Sequence, residues 1–179
     1  MTPAMPRSTL SGQTGFTLIE VLVAALVLAL GMLGLAALQV TSLSNSHSSY
    51  LRSQATQLAY DLSDRIRANP IGLRSGSYNN QPVQTAACLT TVGCSAAELA
   101  KHDVYEWNAD LASQLPSGSG VICLDTSPDD GTPASPACSG DGTVYVIKIW
   151  WNEYDPDPDP TDPDIRKNVS QRFVTSFQP

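Results

Sequence analysis

Residues 15–38, with the sequence GFTLIEVLVAALVLALGMLGLAAL, decide the fold of this chain. Eighteen consecutive residues within this stretch, Val21 to Leu38, carry no polar side chain. A run of this length is typical of a helix that spans a membrane, and it is too long for an ordinary core helix. A secretory signal peptide has a shorter apolar segment, of about 7–15 residues, followed by a small-residue cleavage site. The sequence therefore predicts a membrane anchor over residues 16–38. The positive charge of Arg7 predicts that its N-terminal end stays in the cytoplasm.

A single carboxylate, Glu20, interrupts the apolar segment near its start, and no basic residue follows until Arg52. A charged side chain in the centre of a membrane helix costs about 2.5–3.5 kcal/mol on insertion scales, so it usually has a partner or a role. Cleavage between Gly15 and Phe16 would create an α-amino group at the same depth, and this ammonium could neutralise the carboxylate. From the residues alone, an acidic residue placed by chance at the membrane edge explains Glu20 equally well.

The helical pattern continues beyond the anchor. Apolar residues recur at every third or fourth position, which predicts one apolar stripe on an otherwise polar helix. Asn69 ends the helix because the residue before a proline is pushed out of the α region. The sequence thus predicts a single helix over residues 16–69, with His47 on the stripe as a packed or partner-facing side chain rather than a ligand. The stripe comprises Leu43, His47, Leu51, Ala55, Leu58, Leu62 and Ile66.

Residues 70–179 form the predicted head. Residues 71–94 are rich in Gly, Ser, Asn and Thr and predict a surface connection. A capping box at Ser95 and Glu98 then begins an amphipathic helix that ends near Leu115. A long helix that packs its stripe on an antiparallel sheet predicts an α+β fold. The predicted strands are Val121–Leu124, Val144–Trp151 and the alternating segment that ends with Phe173, Thr175 and Phe177.

Charge and composition argue against two broad functions. Residues 70–179 contain 14 acidic and 6 basic side chains, and a nucleic-acid binder would need clustered Lys and Arg instead. The chain has only two histidines, and it has no G-x-S-x-G elbow, phosphate loop or Cys–His pair that would indicate an enzyme or a cofactor site. One of these histidines, His102, is expected to be a surface group on the polar side of the second helix.

Four cysteines in an exported chain predict disulfides, because their spacing matches no zinc template. Three pairings are open, and Cys88–Cys94 with Cys123–Cys138 is favoured because both close local loops in turn-rich sequence.

The segment DPDPDPTDPD, residues 155–164, is the weak candidate for a metal site. Asp155, Asp157 and Asp159 match the opening of an EF-hand loop. Pro160 stands where that loop needs glycine, and Arg166 stands where a bidentate Glu would complete the shell. A stiff, solvated hairpin tip is therefore preferred over calcium binding.

The residues Gly15-Phe16-Thr17-Leu18-Ile19-Glu20 and the apolar run after them resemble the class III signal of type IV pilins and type II secretion pseudopilins. This resemblance implies cleavage after Gly15 by a prepilin peptidase, N-methylation of Phe16 and a subunit-packing role for Glu20. It also implies a leader peptide over residues 1–15, a pilin spine helix held in the inner membrane before assembly, and a periplasmic head.

Three further features resemble PilV-type minor pilins, also called type IV pilus modification proteins. They are GMLGLAALQ at 31–39, LAYDLSDRIRANP at 58–70, and Trp107 and Asp110 ahead of LPSGSG. This resemblance implies that the chain joins other minor pilins in a priming or tip complex of the fibre, which starts polymerisation of the major pilin for twitching motility. The alternatives are a minor pseudopilin of a type II secretion system and a pilus-tip adhesin or binding module.

Overall fold

The computed structural model describes residues 15–79, 82–154 and 168–177. The elements in chain order are α1 (Leu18–Ala68), α2 (Pro70–Arg74), a short 3₁₀ helix (Ala86–Leu89), α3 (Ala96–Gln114), β1 (Ser119–Leu124), β2 (Tyr145–Tyr154) and β3 (Asn168–Phe177). The strands form one antiparallel sheet in the order β1-β2-β3. This architecture confirms the predicted α+β fold class.

Helix α1 runs through both compact units of the chain, Met1–Leu43 and Ser44–Pro179. In the first unit, every described side chain is exposed. In the second unit, the helix buries a stripe that begins at Leu51, whereas the periodicity started the stripe at Leu43, which is 71% exposed. The buried part of α1 therefore belongs to the same unit as the sheet.

The main core lies between α1, α3 and the inner face of the sheet. The indole Nε1 of Trp107 on α3 donates to the backbone oxygen of Leu58 on α1 over 2.9 Å, so one of the two core tryptophans also links the two helices. Gly120 on β1 is required by this packing, because a Cβ there would lie 2.4 Å from the Trp107 ring. The inner face of β2 contributes Tyr145, Ile147, Ile149 and Trp151.

The outer face of β2 is buried as well, which the sequence did not predict. Val146 and Lys148 are fully buried and Trp150 is 3% exposed, so burial along β2 is continuous rather than alternating. The physical reason is the connection between β1 and β2, residues 125–144, which we call the covering loop. Lys148 and Arg172 both hydrogen-bond to it.

All four cysteines are paired, as Cys88–Cys94 and Cys123–Cys138. These are the two local pairs that the sequence favoured. The second pair joins the end of β1 to the covering loop across a sequence separation of 15 residues. A closed loop of about this size is worth about 3 kcal/mol in the chain-entropy account.

The prediction for His102 was wrong, although the helix that carries it was placed well. Helix α3 begins with the predicted capping box of Ser95 and Glu98. His102 is only 4% exposed, because the segment before the 3₁₀ helix folds back over this face of α3. The backbone N–H of Thr85 donates to His102 Nδ1 over 3.3 Å, and that of Val83 donates to the backbone oxygen of Lys101. The segment predicted as a surface connection, residues 71–94, therefore partly covers α3.

Candidate functional site

The processing motif predicted from the sequence stands at the start of α1. Thr17 caps the helix, since its side-chain oxygen accepts the backbone N–H of Glu20 over 3.3 Å. Gly15 and Phe16 therefore precede the helix, and Glu20 lies in its first turn. A carboxylate at this position interacts favourably with the helix dipole. The structure thus brings Phe16 and Glu20 to the same helix end.

The surface around this motif is apolar and uncovered. From Phe16 to Leu43, the large apolar side chains are 52–84% exposed. Within the described residues, α1 is the one helix long and apolar enough to cross a membrane. Soluble monomers rarely expose an apolar patch of this extent, and large patches of this kind mark surfaces that contact a membrane or another protein.

A shallow hollow on this surface brings the motif residues together. It is lined by Phe16, Glu20, Val21, Ala24, Ala25 and Leu28. The two alanines leave space beside the carboxylate, and small residues of this kind allow apolar helices to approach closely. The arrangement can accept a neighbouring helix and a cation for Glu20. It holds no group that could act as a nucleophile or a general base other than that carboxylate.

Charged side chains also join the end of α1 to α3. The Arg65 guanidinium lies 2.9 Å from a carboxylate oxygen of Asp61, 3.1 Å from Glu106 and 3.8 Å from Asp110. Burial alone would lower the pKa of Arg65, but the neighbouring carboxylates outweigh burial and raise it. The arginine therefore stays charged and links both helices.

Tyr78 extends this cluster into the core. Its side chain is fully buried, and its hydroxyl donates to Asp103 Oδ2 over 2.7 Å. Burial raises the pKa of Asp103, although the bond from Tyr78 and the charge of Arg65 act in the opposite direction. Burial also raises the pKa of Tyr78. These polar side chains form their hydrogen bonds and ion pairs with one another, which is typical of a network that stabilises the fold.

A second charged cluster lies under the covering loop, and sequence reasoning missed it. Lys148 is fully buried, with its Nζ 2.6 Å from Asp125 Oδ2 and 2.8 Å from Asp130 Oδ1. Burial alone would lower the pKa of Lys148, but the hydrogen bonds to these carboxylates outweigh it and raise the pKa. The sequence feature that could have predicted this cluster is the single lysine in the middle of an apolar strand. Once such a side chain is buried, it needs an acidic partner.

The remaining residues predicted for a site divide into two groups. Asp155, Asp157 and Asp159 lie outside the described residues. Within the part of the chain that the structure describes, no group of three or more His, Cys, Asp or Glu side chains could hold a metal ion. His47 is exposed and lines a polar hollow with Tyr154.

Two family models match the chain. Residues 10–36 match the prokaryotic N-terminal methylation motif, and residues 37–105 match the family described as type IV pilin Tt1218. The long N-terminal helix and the antiparallel sheet agree with this family. Together these findings support a type IV pilin, with a structural role in the assembly of a pilus or pseudopilus. No curated protein and no solved structure shows a significant match.

The buried pair of Asp125 and Lys148 makes a testable contribution to acid stability. Burial would raise the pKa of Asp125, but bonds from Lys148 and from the backbone N–H groups of Ser127 and Ser139 lower it to about 2. The unfolded value is about 3.9, so this contribution is present above about pH 4 and is lost as the pH falls to about 2. We expect Asp125→Asn to lower the free energy of unfolding by about 3 kcal/mol at pH 7.

The measurement is urea unfolding of the detergent-solubilised full chain, followed by tryptophan fluorescence from pH 7 to pH 2. The difference between wild type and Asp125→Asn should shrink between pH 4 and pH 2. Asp64→Asn serves as the matched control, because Asp64 forms an exposed pair with Arg67 and its substitution should change stability by no more than about 0.5 kcal/mol. A difference that stays constant across this range would contradict the assignment.

Proposed function

We propose that this chain is a minor pilin that takes part in type IV pilus assembly, in a priming or tip complex with other minor pilins and the major pilin. One observation carries the proposal: the exposed apolar half of α1 follows the processing motif directly. A single subunit leaves this surface uncovered, so it needs lipid before assembly and apolar helices of other subunits afterwards. A protein of this kind works by packing rather than by catalysis.

The minor-pilin subtype is supported by contacts between the stretches that resemble PilV-type proteins. Leu58, at the start of one stretch, accepts the indole N–H of Trp107, and Arg65 in the same stretch lies 3.8 Å from Asp110. The residues that carry the resemblance are therefore neighbours in the fold, where they join α1 to α3. Proteins that share this head architecture would need the same contacts between α1 and α3.

Processing would give Glu20 its partner. Cleavage after Gly15 by a prepilin peptidase would leave an α-ammonium on Phe16, which is then N-methylated. Phe16 and Glu20 line the same hollow, so a neighbouring subunit that packs there could place its own ammonium against the carboxylate. In an apolar bundle, this ion pair would be strong and an unpaired carboxylate costly. The pair would therefore set the axial register of the subunit.

We also propose that residues 16–38 hold the chain in the inner membrane before assembly, with residues 70–179 in the periplasm. Arg7 on the N-terminal side of the anchor favours this orientation. The two disulfides support it, because such bonds persist in oxidising compartments.

Deletion of the gene tests whether the chain acts in a type IV pilus or in a type II secretion pseudopilus. We expect cells without this protein to lose most surface pili and twitching motility, while type II secretion of exoproteins continues as in the parent strain. Expression of the wild-type chain from a plasmid should restore both pili and motility. Normal pili together with a loss of secretion would contradict the proposal and assign the chain to a pseudopilus.

Glu20→Gln tests the proposed register contact, because it keeps the side-chain shape and removes the charge. We expect normal leader removal, seen as normal gel mobility, and about tenfold less variant protein in sheared fibres, which corresponds to about 1.4 kcal/mol. Asp64→Asn removes an acid on the same helix outside the apolar half and should be incorporated normally. Equal incorporation of Glu20→Gln and wild type would exclude this role for Glu20.

A further inference from the structure

The Lys148 ammonium is enclosed by four oxygen atoms, which we call the oxygen cage. Its Nζ lies 2.6 Å from Asp125 Oδ2 and 2.8 Å from Asp130 Oδ1. It also lies 3.0 Å from the backbone oxygen of Pro136 and 3.2 Å from that of Asp130. The ammonium donates hydrogen bonds to Asp130 Oδ1 and to the two backbone oxygens, and its contact with Asp125 Oδ2 is an ion pair. The side chain of Lys148 has no exposed surface.

The cage holds the covering loop on the sheet. All four oxygens come from this loop, whereas the lysine comes from the central strand β2. The Cys123–Cys138 disulfide fixes the loop close to the cage, and Arg172 on β3 donates to the backbone oxygens of Asp129 and Gly131. The loop contains no helix or strand of its own, and these contacts join it to the sheet.

The donor set has the chemistry of a site for a hard cation. Carboxylate and backbone oxygens are the ligands that Ca²⁺ prefers. The carboxylate of Asp125 is oriented by the backbone N–H groups of Ser127 and Ser139, which donate to its other oxygen over 3.1 Å and 3.4 Å. Such outer bonds are typical of groups that ligate a metal. The two carboxylates carry a charge of −2 between them, which a divalent cation would balance.

We propose that Lys148 is a built-in cation that occupies a latent calcium site, so that the covering loop folds without a metal ion. The chain itself thus supplies, as the Lys148 ammonium, the positive charge that faces the two carboxylates. The oxygen cage should accept Ca²⁺ once the ammonium is removed. This inference does not depend on the proposed role in pilus assembly, because it concerns only the folding of the covering loop.

Lys148→Ser tests the inference, since it opens the volume of the ammonium and leaves all four oxygens in place. All proteins compared carry Asp155→Asn, Asp157→Asn, Asp159→Asn, Asp162→Asn and Asp164→Asn, which removes every carboxylate of residues 155–164. The measurement is thermal unfolding of the detergent-solubilised full chain, followed by the fluorescence of its three tryptophans, in EDTA and in 10 mM CaCl₂. We expect calcium to raise the midpoint of Lys148→Ser by about 5 °C or more and to leave the chain with Lys148 unchanged.

Asp125→Asn in the Lys148→Ser background is the matched control, because it removes a carboxylate of the cage and should abolish the calcium response. If Lys148→Ser fails to unfold cooperatively in EDTA, recovery of a cooperative transition in calcium is the supporting result. Three outcomes would overturn the inference. They are no effect of calcium on Lys148→Ser, an equal effect with and without Asp125, and a calcium shift in the chain that keeps Lys148.

Discussion

The constraint on which the structure depends is that the chain cannot cover its own N-terminal half-helix. From Phe16 to Leu43, large apolar side chains are more than half exposed, while the same helix buries a stripe from Leu51 onward. Transfer of apolar surface out of water is the dominant favourable term in folding and in most protein association. One half of α1 is therefore buried in the core of the head, and the other half keeps an exposed apolar surface that, under the proposed function, packs against lipid or other subunits.

The head is organised around the buried half of α1. Trp107 and Arg65 tie α3 to this helix, one through an indole hydrogen bond in the core and the other through ion pairs at its edge. The sheet packs its inner face on the same core, and the covering loop closes its outer face. Both faces of β2, the central one of the three strands in the described residues, are thereby buried.

Periodicity predicted the regular elements of this fold well, because α1, α3 and the strands each carry a clear apolar pattern. It failed where a segment without a pattern covers a surface. His102 lies on the polar side of α3 yet is buried under the segment around Thr85, and Lys148 is buried under the covering loop. The partners of a loop are set by tertiary contacts, which no local spacing encodes. The motif around Glu20 could be found because its chemistry is local, with one carboxylate in an apolar run.

The central claim is that the backbone is cut ahead of Phe16, so that a new ammonium becomes available to Glu20. N-terminal sequencing of the protein isolated from native membranes tests this claim most directly. The account predicts Phe16 as the first residue, carrying an N-methyl group. A first residue of Met1, or any first residue beyond Leu38, would contradict it.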